Sequence, residues 1–162
     1  MSRNGSGRVA GTIQKLGHHK WFARVGRAYV PIDRALGRLT KGRFVAFGRA
    51  EIPSMLLTTI GRQSGKERTV PLLYMPDGEA FVVMASNWGQ AHHPAWALNL
   101  LTHPDASVLV RGRTVRVTGR LTSGAERQRL LDLMLSMWPA YATYQQRAAN
   151  RTIKIFLLEP AG

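Results

Sequence analysis

LLTTIGRQSGKERTVPLLY, residues 56–74, reads as strand, turn, strand. Leu56 to Ile60 is apolar and β-branched, as a half-buried strand requires. Gly61-Arg62-Gln63-Ser64-Gly65-Lys66 then brings together two glycines, a hydroxyl and two cations, and Arg68 follows. Glycines accept positive φ and let backbone N–H groups converge on an anion. A guanidinium adds a planar fork that fits phosphate oxygens. A basic hairpin tip with glycines for geometry alone fits the same local pattern. The GxxxxGK[ST] spacing is absent, so this is not a Walker-type loop.

Downstream, Pro76-Asp77-Gly78 predicts a turn, and Ala80 to Ala85 a buried strand that ends at Ser86. Pro94 to Leu101 has helical apolar spacing, with the proline placed at the first turn. Two strands, Ala106 to Val110 and Thr114 to Leu121, flank the charged turn Arg111-Gly112-Arg113. Ser123 to Glu126 fits a capping box, opening a helix with Leu130, Leu131, Met134 and Leu135 on one face. Trp138-Pro139 breaks it, Tyr141 to Ala149 forms a second short helix, and Ile153 to Leu158 is the closing strand. Hairpins with interspersed helices predict an α+β barrel. The chain lacks GxGxxG and regular βαβ alternation, which argues against a Rossmann fold.

Upstream, residues 1–17 have little to bury. From Trp21 the apolar residues Phe22, Val25, Tyr29, Ile32, Leu36 and Leu39 recur at helical spacing between bases, with Pro31 dividing the segment. Residues 1–50 carry +10 of the formal +14 charge of this 162-residue chain. The expected division is therefore a basic arm with an amphipathic helix over 1–44 and a barrel domain over 45–162. The arm fits either a helix packed on the barrel or an anchor on an anionic membrane surface. No nucleic-acid-binding signature supports a third partner. With no cysteine, there is no disulfide, thiolate metal site or cysteine nucleophile. The composition and the absence of a long apolar run predict a cytoplasmic protein, with peripheral attachment at the inner face of the cell membrane left open through the arm.

Conventional catalytic groups are scarce. His92, His93 and His103 lack metal-ligand spacing, and G-R-Q-S-G around Ser64 is not a nucleophile elbow. Asp77, Glu79 and Asp105 sit at turns, Glu126 at a cap, and paired carboxylates do not stand out. What remains suits a cofactor that carries the hard chemistry itself.

TTIGRQSGKERTVPLLY, MASNWGQAHHPAWALNL (84–100) and MWPAYATYQQRAANRTIKIFLLEP (137–160) together resemble the deazaflavin-dependent nitroreductase family. PIDRALGRLTKGR (31–43) is similar as well. The resemblance implies a split β-barrel that binds coenzyme F420, with FMN as the alternative cofactor. By it, Arg62, Gln63, Ser64 and Arg68 hold the phosphate and acidic tail, with Lys66 nearby and Pro71 in the signature. Met84, Ala85, Ser86 and Asn87 pass along the ring, and Ala95, Trp96 and Asn99 wall the pocket. Tyr141 matches the active-site tyrosine beside ring and substrate, with Ser86 as a second proton source; Trp88, Trp138 and Tyr144 line the substrate side. The implied activity is transfer of a hydride from reduced F420 to a hydrophobic, electron-poor small molecule: a quinone, nitro compound or enone. The alternatives are an FMN-dependent reductase and a non-catalytic, F420-binding or membrane-associated protein. Gln63, Asn87-Trp88, Ala97 and Trp138 depart from the family pattern, which leaves the acceptor open.

Overall fold

A computed structural model describes residues 53–148 and 150–162; the expected arm and its amphipathic helix lie outside the described residues. The elements are β1 (Ser54–Ile60), β2 (Glu67–Leu73), β3 (Met75–Asp77), β4 (Ala80–Met84), a tight turn (Asn87–Gly89), α1 (Ala95–Thr102), β5 (Asp105–Val110), β6 (Arg113–Leu121), α2 (Gly124–Met137), α3 (Ala140–Arg147) and β7 (Ile155–Pro160). The opening hairpin forms as read, with Ile60 opposite Glu67 and Ser54 opposite Leu73.

Every strand pairing is antiparallel, in the order β2-β1-β5-β6-β7-β4-β3. β2 and β3 are opposite edges, yet only Tyr74 separates them in sequence. Two Cα–Cα steps reach about 7 Å, whereas the edges of a flat seven-stranded sheet stand about 29 Å apart. The sheet must therefore curl until its edges meet at one corner. That is a split barrel, as expected. Tyr74 is buried at the corner, donating its N–H to the Pro53 carbonyl at 3.1 Å and setting its ring edge-on to Phe81.

Curling gives β4 and β7 two dry faces. Val83, Phe156 and Leu158 point into the barrel with Met55, Leu57 and Val108, where Trp96 and Leu100 of α1 join them. Val82, Met84, Ile155 and Leu157 face outward onto Leu130, Met134 and Tyr144 of α2 and α3. Burial on both faces explains why 80–85 reads as a continuous apolar run without alternation. Gly119 lets α1 approach: a Cβ there would lie 2.9 Å from Leu100 Cδ2.

Three local expectations are corrected. Pro76 lies within β3, opposite Phe81, and the chain turns at Gly78, where φ is 61°; an edge strand tolerates a residue without an N–H. Pro94 is the extended residue before α1, with ψ 147°, and not part of its first turn. The capping box does not form: Ser123 makes no side-chain cap, and Glu126 takes a bidentate pair from Arg120 at 2.8 and 2.9 Å. A charge-assisted fork outcompetes a neutral reach-back to one N–H.

Gly89 and Gly78 separate strain from crowding. Both have positive φ, but a Cβ on Gly89 would meet Tyr144 Cα and O at 3.1 Å, whereas one on Gly78 meets nothing within 4 Å. Gly78→Ala should lower stability by about 1 kcal/mol, the left-handed cost alone. Gly89→Ala should lower it by about 2–5 kcal/mol, because overpacking against the α3 backbone adds to that cost. Urea denaturation of the two variants checks the difference.

Candidate functional site

The loop between β1 and β2 holds itself together. Gly61 N–H donates to Lys66 O at 2.8 Å, and Ser64 and Gly65 N–H donate to Gly61 O at 3.2 and 2.8 Å. Lys66 N–H reaches Ser64 Oγ at 3.3 Å. Arg62 N–H is taken by Asn99 Oδ1 at 3.1 Å. The expectation that loop amides converge on an anion is thus corrected: of the six in 61–66, only that of Gln63 has no acceptor among the described residues. Any anion here falls to side chains. Arg62, Ser64, Lys66 and Arg68 are all exposed, and the three cations have no ion pair among the described residues. Glu67 lies among them and offsets one charge. Gly61 keeps the loop tight, since a Cβ would stand 2.7 Å from Ser64 Oγ and 3.2 Å from Lys66 O.

Asn99 is 3% exposed, and both ends of its amide are used. Besides accepting from Arg62, it donates from Nδ2 to Thr59 Oγ1 at 3.0 Å. It therefore aims the loop from inside the barrel. Trp96 packs edge-on to Phe156 in the core, and Ala95 alone of the three expected wall residues is exposed. Pro71, opposite Leu56 on edge strand β2, is half-buried.

Past β4, where Met84 and Ala85 are buried on opposite faces, the chain makes an uncommon turn. Asn87, Trp88 and Gly89 all have positive φ, at 47°, 56° and 77°. Asparagine tolerates that region, but a tryptophan there costs about 1–2 kcal/mol, so the surroundings must impose the conformation. One support is Asn87 Nδ2, which donates to His92 O at 3.1 Å. The turn sets the half-buried Trp88 ring 6.2 Å from that of Tyr144.

From the other side, α3 supplies Tyr141 and Tyr144, their rings edge-to-face at 6.0 Å, with Trp138 buried just before the helix. Tyr141 and Tyr144 share one face of α3, while Trp138, non-helical at φ −135°, joins them only through the same core cluster. The Tyr144 hydroxyl lies in the core beside the Trp138 indole, short of good hydrogen-bond geometry. Tyr141 is 6% exposed, and no hydrogen bond engages its hydroxyl among the described residues. Burial, and then the neighbouring Tyr144, push the Tyr141 phenol well above its ordinary pKa. It is a neutral donor across the physiological range, more firmly protonated than an exposed tyrosine. So the structure brings Trp88, Tyr144 and Tyr141 together, with Ser86 and Asn87 next to Trp88 in the chain, while Arg62, Ser64, Lys66 and Arg68 stand on the hairpin loop. Residues 86–99 run between the two groups.

A family model described as F420H(2)-dependent quinone reductase matches residues 32–160. The chain belongs to that family. A Mycobacterium tuberculosis protein whose name assigns it provisionally to these quinone reductases is 35% identical over 118 residues, covering 69% of this chain and 93% of that protein. Another from the same species, named an F420H(2)-dependent quinone reductase, is 33% identical over 102 residues, covering 62% of this chain and 68% of its own. Among solved structures, an F420-H2 dependent reductase superposes with a TM-score of 0.61 at 34% identity, over 66% of this chain and 94% of that one. The F420-dependent, split-barrel assignment carried by three motifs stands, with quinone in place of nitro compound in the family's description.

In this quinone reductase family member, the turn region carries a pH-sensitive group that the sequence did not single out. His93 Nδ1 accepts from Arg151 at 3.3 Å, which requires the neutral ring. Desolvation, then the charges of Arg151 and Lys154, hold its pKa below 6.5. The unfolded chain thus binds a proton that the folded one refuses, so stability should fall as pH drops through the ordinary histidine range toward the lowered value. His93→Gln keeps an acceptor and removes the titration. The urea midpoint of the parent should decline from about pH 7 to 5 more steeply than that of His93→Gln.

Proposed function

We propose that this protein is an F420H2-dependent reductase that passes a hydride to a quinone or a similarly apolar, electron-poor acceptor. The observation that carries this reading beyond family membership is the Tyr141 phenol, neutral and 6% exposed, its ring set edge-to-face on Tyr144 beside the turn that carries Trp88. Reduced deazaflavin supplies a hydride from a carbon centre, so the protein needs to orient, exclude water and manage one proton.

The residues present fit such a cofactor. Arg62, Lys66 and Arg68 are exposed on one self-bonded loop and suit a phosphate followed by an acidic tail. Three cations exceed what the single phosphate of FMN needs, which favours the deazaflavin. At the other end, hydride arrival builds negative charge on an acceptor oxygen. The Tyr141 hydroxyl, neutral at pH 7, donates a hydrogen bond to that oxygen. Trp88, half-buried and backed by the core residue Tyr144, offers the acceptor an aromatic contact, and Ser86 is the alternative donor. Nitro compounds and enones develop charge on oxygen in the same way and belong to the proposed acceptor range. The excess charge of the N-terminal arm supports peripheral attachment to anionic membrane, where such acceptors partition.

Tyr141→Phe removes only the hydroxyl. It should leave F420 affinity near that of the parent and lower menadione turnover by about tenfold to several hundredfold. Parent-level turnover would make Tyr141 a packing residue. Arg62→Ala and Arg68→Ala should act oppositely, each weakening F420 binding about ten- to a hundredfold in a fluorescence titration while leaving the fold intact. Sedimentation with anionic liposomes, comparing the full chain with residues 45–162, tests the arm. Equal sedimentation would end the membrane reading.

A further inference from the structure

Arg151 stands in the linker between α3 and β7, inside the third motif, where the sequence alone gave it no role. Its guanidinium is directed almost wholly at one target. Nε donates to Gln90 O at 2.9 Å, Nη2 to Ser86 O at 2.8 Å, and Nη1 to Ala85 O at 3.2 Å. Nη1 also meets His93 Nδ1 at 3.3 Å. Two of the three carbonyls precede the left-handed run Asn87-Trp88-Gly89, and the third follows it. One rigid fork thus grips both ends of the strained turn.

The linker that carries Arg151 is itself tied to α3. Gln145 Nε2 donates to Arg151 O at 3.0 Å, and Gln145 Oε1 accepts from Ile153 N–H at 3.0 Å. Tyr144 precedes Gln145 on that helix, and its backbone abuts Gly89 of the turn. The path closes on itself: α3, Gln145, Arg151, the turn, Trp88, and back to Tyr144.

We propose that Arg151 is a positioning residue of the reductase site, stapling the turn that carries Trp88 so that Ser86 and Trp88 keep their places against Tyr141 and Tyr144. This rests on the proposed function for its catalytic consequence, but the staple itself is testable without cofactor. A lysine has one point charge and no fork, so it holds one carbonyl and leaves the others to water. Methionine keeps the apolar stem and holds none.

The test uses the full chain with Arg151→Met and Arg151→Lys. Without ligand, hydrogen exchange at the Gly89 and Gln90 amides, which close the turn onto Ser86 O and Asn87 O, should quicken by about tenfold or more in Arg151→Met and by less in Arg151→Lys. Amides of β1, β5 and β6 should exchange as in the parent. With F420H2 and menadione, kcat should fall by about tenfold or more while F420 affinity changes by about threefold at most, the reverse of the Arg62→Ala pattern. Arg151→Lys should recover part of the loss. If Arg151→Met does not fold, Arg151→Lys decides, and parent exchange and parent kcat in it overturn the proposal. Loss of turnover that follows F420 affinity alone also overturns it, since Arg151 would then hold cofactor instead of the turn. A parent protein that neither binds F420 nor reduces menadione refutes the reductase reading, and exchange at Gly89 and Gln90 still decides whether the staple exists.

Discussion

Only Tyr74 separates two strands that form opposite edges of a seven-stranded sheet. That short tether shapes the whole architecture. It forces the curl, the curl creates an interior, and the interior takes α1 against β1 and β6. Because α1 is drawn in, Asn99 reaches from its buried face to Thr59 and the Arg62 amide. The cationic loop is therefore oriented by the same event that closes the barrel corner. A flatter sheet would leave the hairpin tip unsupported.

The outer face is organised by a second dependence. β4 and β7 are dry on both sides, so α2 and α3 are held against the sheet by Val82, Met84, Ile155 and Leu157. With α3 fixed, Tyr144 lies close enough to Gly89 to exclude a side chain there, and the left-handed turn is wedged between helix and linker. Strain of this kind persists where surroundings over-determine it. Here the wedge and the Arg151 fork do so together. The same packing largely desolvates the Tyr141 phenol, which raises its pKa.

The two cationic features of the site differ in kind. Arg62, Lys66 and Arg68 are exposed and stand on a loop whose own amides are largely engaged, which leaves these side chains available to a ligand. Arg151 is half-buried, its donors facing backbone carbonyls and His93. One set is open to a ligand; the other is bound to backbone.

Local elements were legible in the amino-acid sequence. The β1–β2 hairpin, the Arg111-Gly112 turn, the break at Trp138-Pro139 and the aromatic face of α3 follow from apolar spacing, glycine and proline, which act over a few residues. The family was legible too, because three motifs in register restrict the chain far more than any one does. What depends on partners distant in sequence came only with the fold. Glu126 abandoned its cap because Arg120, across the strand end, offered a bidentate pair. Pro76 entered a strand because β3 became an edge. The loop amides turned inward because Asn99 arrived 37 residues later in the chain. Arg151 found its acceptors in carbonyls 61 to 66 residues away. Hydrogen bonds and ion pairs of that span have no local signature, since the backbone groups that accept them are the same in every residue.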